Sequence, residues 1–164
     1  MTGQSVAGSK SVVRKPGEGQ ARWMLGGLYE VIVSGEETGG ALTVMEMTVP
    51  AGAGPPPHIH DQDELLFVLE GTVRQHIGDQ TIEAGPGAVF FFPKGTLEWF
   101  EPVGGNLKVR IVYTPGGVDR FFMEVSEPAP RREIPPPLTA PPDLARLASV
   151  GARYGLELRE PPQS

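Results

Sequence analysis

The chain has 164 residues, 39% of them hydrophobic and 21% charged, a length and balance suited to one soluble domain with a sizeable core. Its net charge of −6 argues against a nucleic-acid partner, which wants a basic face, and no apolar run approaches the roughly 18 residues of a membrane span. Zero cysteines exclude disulfides, thiolate metal sites and a cysteine nucleophile together.

The opening "MTGQSVAGSKSVVRKPGEGQ" lacks the apolar segment of a secretory leader, so a cytoplasmic protein handling a small molecule is expected. Residues 1–22 read as an N-terminal arm and residues 23–115 as the body of the domain. In that body, glycine and proline punctuate short apolar runs, as tight turns do in an all-β domain. "LYEVIVS" (28–34) is followed by the turn-like "GEETGG" and by "ALTVMEMTVP" (41–50), apolar at both parities. "ELLFVLEG" (64–71) and "TVRQHIGD" (72–79) come next, with Gly78-Asp79 as a turn candidate. "AVFFFP" (88–93) and "LEWFEP" (97–102) flank "PKG", and "LKVRIVY" (107–113) puts Leu107, Val109, Ile111 and Tyr113 on one side. About eight short strands in succession indicate a sandwich or barrel.

Residues 116–164 change character. Val118, Phe121, Phe122 and Val125 recur at helical spacing, "PAPRREIPPPLTAPP" (128–142) is extended, and Asp143 opens a second helix that Gly155 stops. This helical, proline-rich extension is expected to pack on the barrel or on a partner subunit.

The chemistry concentrates in "GAGPPPHIHDQDELLFVLEG" (52–71). His58 and His60, at i and i+2 on a strand, project from the same face. Imidazole is a leading ligand for zinc, iron, copper and nickel. Glu64, beyond the turn Asp61-Gln62-Asp63, can face back toward them, and three prolines before His58 stiffen the approach. Two histidines and one carboxylate would leave coordination positions open for substrate or water.

Gly52, His58, His60, Glu64 and Gly71 fall at the spacings of the first cupin motif, and Gly87, Pro93 and Gly95 at those of the start of the second. The stretch from about Gly26 to Leu158 resembles bacterial single-domain cupins of the quercetin-dioxygenase-like group. The resemblance implies a cupin jelly-roll β-barrel with a metal in its mouth, and a homodimer. It also implies dioxygenase-type oxidation of a small aromatic or phenolic compound at a divalent metal ion (iron, manganese or nickel). The alternatives are a non-redox cyclase, isomerase or dehydratase of the polyketide kind with zinc or no metal, and a non-catalytic small-molecule-binding barrel. One position departs from the family pattern. Where the second motif calls for a histidine, this chain has Glu98.

Glu98 has three readings: fourth metal ligand beside His58, His60 and Glu64; acid or base beside the metal; or a solvated carboxylate turned away. As a ligand it would let two carboxylates cancel a divalent charge that three imidazoles and one carboxylate leave at +1, and would favour manganese or iron over copper. As an acid or base, Glu98 would share a proton with Glu64, because two carboxylates in an apolar barrel do not both ionise cheaply. His76 alternates with Thr72 and Arg74 and is expected to face outward, leaving Gln75 to point inward as a substrate contact. Phe92, Trp99 and Phe100 are candidates to line a pocket, against the plainer reading of barrel core. No phosphate loop of the G-x-x-x-x-G-K type and no G-x-S-x-G nucleophile elbow is present.

Overall fold

A computed structural model describes residues 10–163; the first part of the N-terminal arm, residues 1–9, lies outside them. Ten strands pair into one curled sheet: β1 (Gln20–Met24), β2 (Gly27–Val33), β3 (Thr43–Val49), β4 (His58–His60), β5 (Asp63–Ile77), β6 (Gln80–Ala84), β7 (Val89–Phe92), β8 (Glu98–Thr114), β9 (Glu127–Pro128) and β10 (Leu156–Leu158). Two helices follow the barrel strands, α1 (Asp119–Val125) and α2 (Leu144–Arg153). The sheet runs β10-β4-β8-β3-β2-β1-β9, and β5 pairs with β6, β7 and β8. No helix among the described residues is long and apolar enough to cross a membrane.

The runs that read as four separate strands are two long ones. "ELLFVLEG" and "TVRQHIGD" join in β5, and "LEWFEP" and "LKVRIVY" join in β8, which pair antiparallel over most of their length. Glycine here makes bulges where the sequence suggests turns. Gly71 holds φ at +81°, and a Cβ there would sit 2.2 Å from the Asn106 carbonyl oxygen of β8. The register between the strands shifts on both sides of Glu70. Each bulge changes the phase of the alternation. In β5, Glu64, Leu66 and Val68 face inward before it, Val73 and Gln75 after it; in β8, Glu98 and Phe100 come before and Leu107, Val109, Ile111 and Tyr113 after. The bulges therefore let residues of opposite parity share one interior.

The core is built from these inward residues together with Tyr29, Val31, Met45, Met47 and Val49 of β2 and β3. Below α1, the Asp119 carboxylate accepts hydrogen bonds from the Gly35 N–H (3.0 Å) and the Thr43 hydroxyl (2.7 Å), tying the helix start to the sheet. Arg22 of β1 donates to the carbonyl oxygens of Met123 and Ser126 and holds the chain leaving α1.

The C-terminal extension belongs to this same barrel. Leu147 and Val150 of α2 and Leu156 of β10 are buried in the core cluster. The Asp143 side chain caps α2 by accepting from the Arg146 N–H at 3.0 Å, and Gly155 takes φ of +74° just past its end. That turn delivers β10 alongside β4, with Leu156 opposite His60 and Leu158 opposite His58. A three-residue strand carrying both histidines is thus held on one edge by the tail and on the other by β8.

Candidate metal centre

β4 projects His58 and His60 into the barrel, 8% and 4% exposed, with Ile59 between them turned the other way. Each imidazole is oriented by backbone. His58 Nδ1–H donates to the Pro56 carbonyl oxygen at 2.8 Å and His60 Nδ1–H to that of Gln62 at 2.9 Å. A carbonyl offers no proton, so both Nδ1 atoms carry one and both Nε2 atoms face the interior. Glu98 stands directly opposite His58 in the β4–β8 pairing, and its Oε1 lies 2.8 Å from His58 Nε2 and 3.8 Å from His60 Nε2. Glu64, from β5, places Oε2 2.7 Å from His60 Nε2.

Of the three readings of Glu98, solvation is excluded: it is 2% exposed and inside. One donor atom each from His58, His60 and Glu98 lies within 4.8 Å of the others. The converging set is therefore His58, His60 and Glu98, while Glu64 joins the cluster through His60. Gln75 faces inward with no exposed surface, and its Nε2 donates to Glu98 Oε2 and to the Trp99 carbonyl, both at 3.0 Å. It holds the second oxygen of Glu98 and leaves the first for the imidazoles.

Burial raises both carboxyls, and their neighbours then separate them. Burial first, then the Glu98 charge, pushes Glu64 up to about 7. For Glu98, burial is outweighed by the charges and hydrogen bonds of His58 and His60, which hold it well below the usual carboxylate range. Burial also works against the imidazolium forms. Glu98 nevertheless raises His58, and the hydrogen bonds and charges of Glu64 and Glu98 lift His60 to about 10. Glu98 is the standing anion of the cluster and Glu64 its proton carrier near neutrality.

The donor set fits a divalent ion. Imidazoles that donate Nδ1–H to backbone carbonyls and turn Nε2 inward have the orientation of metal-ligating histidines. Removing the two imidazolium protons and adding a divalent cation leaves the charge of the cluster unchanged.

Beside the centre lies a cavity of about 40 Å³. His58, Glu64 and Glu98 line one part of it, and Tyr29, Met47, Phe100 and Ile111 extend the wall. Phe121 and Phe122 of α1, Leu147 of α2, and Leu156 and Leu158 of β10 cover it.

Phe100 lines this cavity, whereas Phe92 and Trp99 do not. Phe92 is 1% exposed and packs in the core opposite Glu64, stacked on Phe90 at 6.0 Å. Trp99, between two inward residues, points out of the barrel and stacks on His76 at 4.4 Å with the rings 5° from parallel. The orienting carbonyls of Pro56 and Gln62 carry no signal in the sequence, because any residue supplies a carbonyl. Tyr29 and Tyr113 had one: both are polar-tipped aromatics on inward strand parities.

Residues 45–115 match the cupin domain family. That segment is less than half of the chain. A curated relative, an uncharacterised protein of Streptomyces coelicolor, is 32% identical over 56 residues, which make up 34% of this chain and 53% of that protein. The match thus spans about half the length of that relative. Among solved structures, the chain resembles the polyketide cyclase RemF of Streptomyces resistomycificus at 20% identity, covering 63% of this chain and 79% of that one, with a TM-score of 0.57. An RmlC-like cupin of Shewanella frigidimarina aligns at 16% identity over 68% of this chain and 98% of its own, TM-score 0.58. A predicted oxalate decarboxylase of Thermotoga maritima aligns at 22% identity over 62% and 97%, TM-score 0.56. These likenesses establish the cupin fold.

Proposed function

We propose that the protein is a metal-dependent cupin enzyme that moves a proton on a small, oxygen-bearing organic molecule in a non-redox cyclisation, isomerisation or dehydration. The observation that carries this reading is that two buried carboxylates meet the same imidazole, Glu64 Oε2 at 2.7 Å and Glu98 Oε1 at 3.8 Å from His60 Nε2, with burial raising Glu64 while the imidazoles lower Glu98. Titratable groups driven apart by their surroundings are the signature of assigned acid and base roles. His58, His60 and Glu98 would hold the ion, with Gln75 fixing the Glu98 carboxylate. Such an ion, when bound, would supply Lewis acidity toward a substrate oxygen. Glu64 Oε2 gives or takes the proton at a substrate carbon or oxygen beside it, and the apolar cover from α1, α2 and β10 excludes water. A polyketide cyclase shares the fold, so cyclisation is chemistry this scaffold accommodates.

The test uses protein purified without chelators and cyclohexanone in D₂O. Wild type should accelerate exchange of the protons next to the carbonyl, and Glu64→Gln should abolish the acceleration while keeping its metal. Equal exchange rates in the two proteins would remove Glu64 from the chemistry.

Dioxygenase-type oxidation is the second reading, because two histidines and one carboxylate with open positions are also the donor set of non-haem iron oxygenases. Iron in the purified protein together with oxygen uptake on a phenolic compound would favour it. Zinc or manganese with oxygen-independent exchange favours the first.

A further inference from the structure

The cavity beside the metal centre has unlike ends. Around His58, Glu64 and Glu98 it is polar and ionisable; elsewhere its wall is largely apolar, with Met47, Phe100, Phe122 and Leu147 contributing, and no lysine or arginine lines it. Tyr29 of β2 breaks that apolar wall. It is 2% exposed, and its hydroxyl has no hydrogen-bond partner among the described residues. Its ring stacks on Phe122 with 6.0 Å between centroids, and Met47 stands opposite it in the neighbouring strand, so the side chain is fixed in place. A buried phenol normally finds a partner, because an unmet donor in an apolar wall is costly. Nothing among the described residues uses this one.

We propose that Tyr29 is a ligand-recognition residue, whose hydroxyl donates a hydrogen bond to an acceptor oxygen of a neutral organic ligand while another oxygen of that ligand faces His58, His60 and Glu98. The inference rests on the proposed function and narrows its substrate class to small compounds with two oxygen functions on a short apolar framework. A carboxylate or phosphate at the Tyr29 end is disfavoured, since that end offers no cation. The small size of the cavity, about 40 Å³, favours a single ring over a fused polycycle.

Two probes that differ by one acceptor oxygen test this: cyclohexane-1,4-dione and cyclohexanone, titrated into zinc-loaded wild type and Tyr29→Phe. Wild type should bind the dione about 3–10-fold more tightly than the monoketone, the worth of one neutral hydrogen bond. Tyr29→Phe should lose that margin and keep its affinity for cyclohexanone. Equal dione affinity in the two proteins overturns the role of Tyr29 and leaves the proposed function standing. Failure of wild type to bind either probe overturns the proposed function, and the role of Tyr29 falls with it. Thermal unfolding without ligand gives an independent readout. A hydroxyl kept for a ligand predicts a Tm for Tyr29→Phe that is unchanged or higher by up to about 4 °C. A fall of several degrees would reveal a structural partner for the hydroxyl and overturn the proposal.

Discussion

Adding a divalent ion to the metal-free protein at pH 6 should release about two protons per ion. At that pH, His60, lifted to about 10, carries a proton, and so does His58, which is also raised. Glu98, held low, carries none, and Glu64, at about 7, carries one. Ligation requires neutral imidazoles, so both imidazolium protons must leave. Each released proton adds about 1.36 kcal/mol per pH unit to the binding free energy. Two give about 2.7 kcal/mol, or roughly a hundredfold gain in apparent affinity for each pH unit near pH 6. Calorimetric titration with zinc in two buffers of different ionisation enthalpy counts the protons directly. Three per ion would mean that Glu64 has also ionised and become a ligand, which removes the acid from the proposed reaction. Fewer than one would refute the ion-paired description of the cluster.

Three further outcomes follow from the same geometry. In the metal-free protein His60 keeps its proton up to about pH 10, against about 6.5 in an unfolded chain. The stability this contributes is fully present below about pH 6.5 and is lost as pH rises toward 10, at about 1.4 kcal/mol per pH unit for one proton. Thermal unfolding at pH 7 and pH 9 should show a Tm lower by several degrees at the higher pH; a flat profile counts against the His60 ion pair. Glu98→His puts an imidazole directly opposite His58 and should raise zinc affinity by titration; unchanged affinity would mean that position 98 supplies no ligand. Gly71→Ala forces a Cβ to 2.2 Å from the Asn106 oxygen at a φ of +81° and should cost more than about 2 kcal/mol in urea unfolding, whereas a cost under about 1 kcal/mol would show that β5 and β8 can slide apart there.

The histidine pair was legible because strand alternation alone puts i and i+2 on one face, and the fold confirms that face as the barrel interior. Glu98 was legible only as a departure from a spacing pattern; its orientation depends on the β4–β8 register, a pairing between distant segments that local pattern does not encode. The C-terminal extension could be read as helical but not as part of the sheet, because β10 is three residues long and exists only by pairing with β4. Continuity of β5 and β8 was hidden for a different reason. Gly71 and Gly104 look like turn residues, and only the partner strand shows that their positive φ makes a bulge. Trp99 illustrates the limit of composition: an aromatic cluster suggests a pocket, yet its place between Glu98 and Phe100 turns it to the outer face.

The glutamate at position 98 has a consequence that reaches beyond ligand count. Four ionisable groups packed together inside a barrel are tolerable only if their charges nearly cancel. With Glu98 they do so without an ion once Glu64 ionises above about pH 7, since two imidazolium groups then face two carboxylates. A histidine there would leave three imidazoles around Glu64, and they could not all stay protonated. The metal-free site is therefore already aimed, with each Nε2 turned inward and held by a carboxylate. That arrangement lowers the reorganisation needed to bind metal, but it sets protons in direct competition with the ion. Metal occupancy in this barrel should consequently follow pH more steeply than in one of the same fold that has a histidine at the position of Glu98.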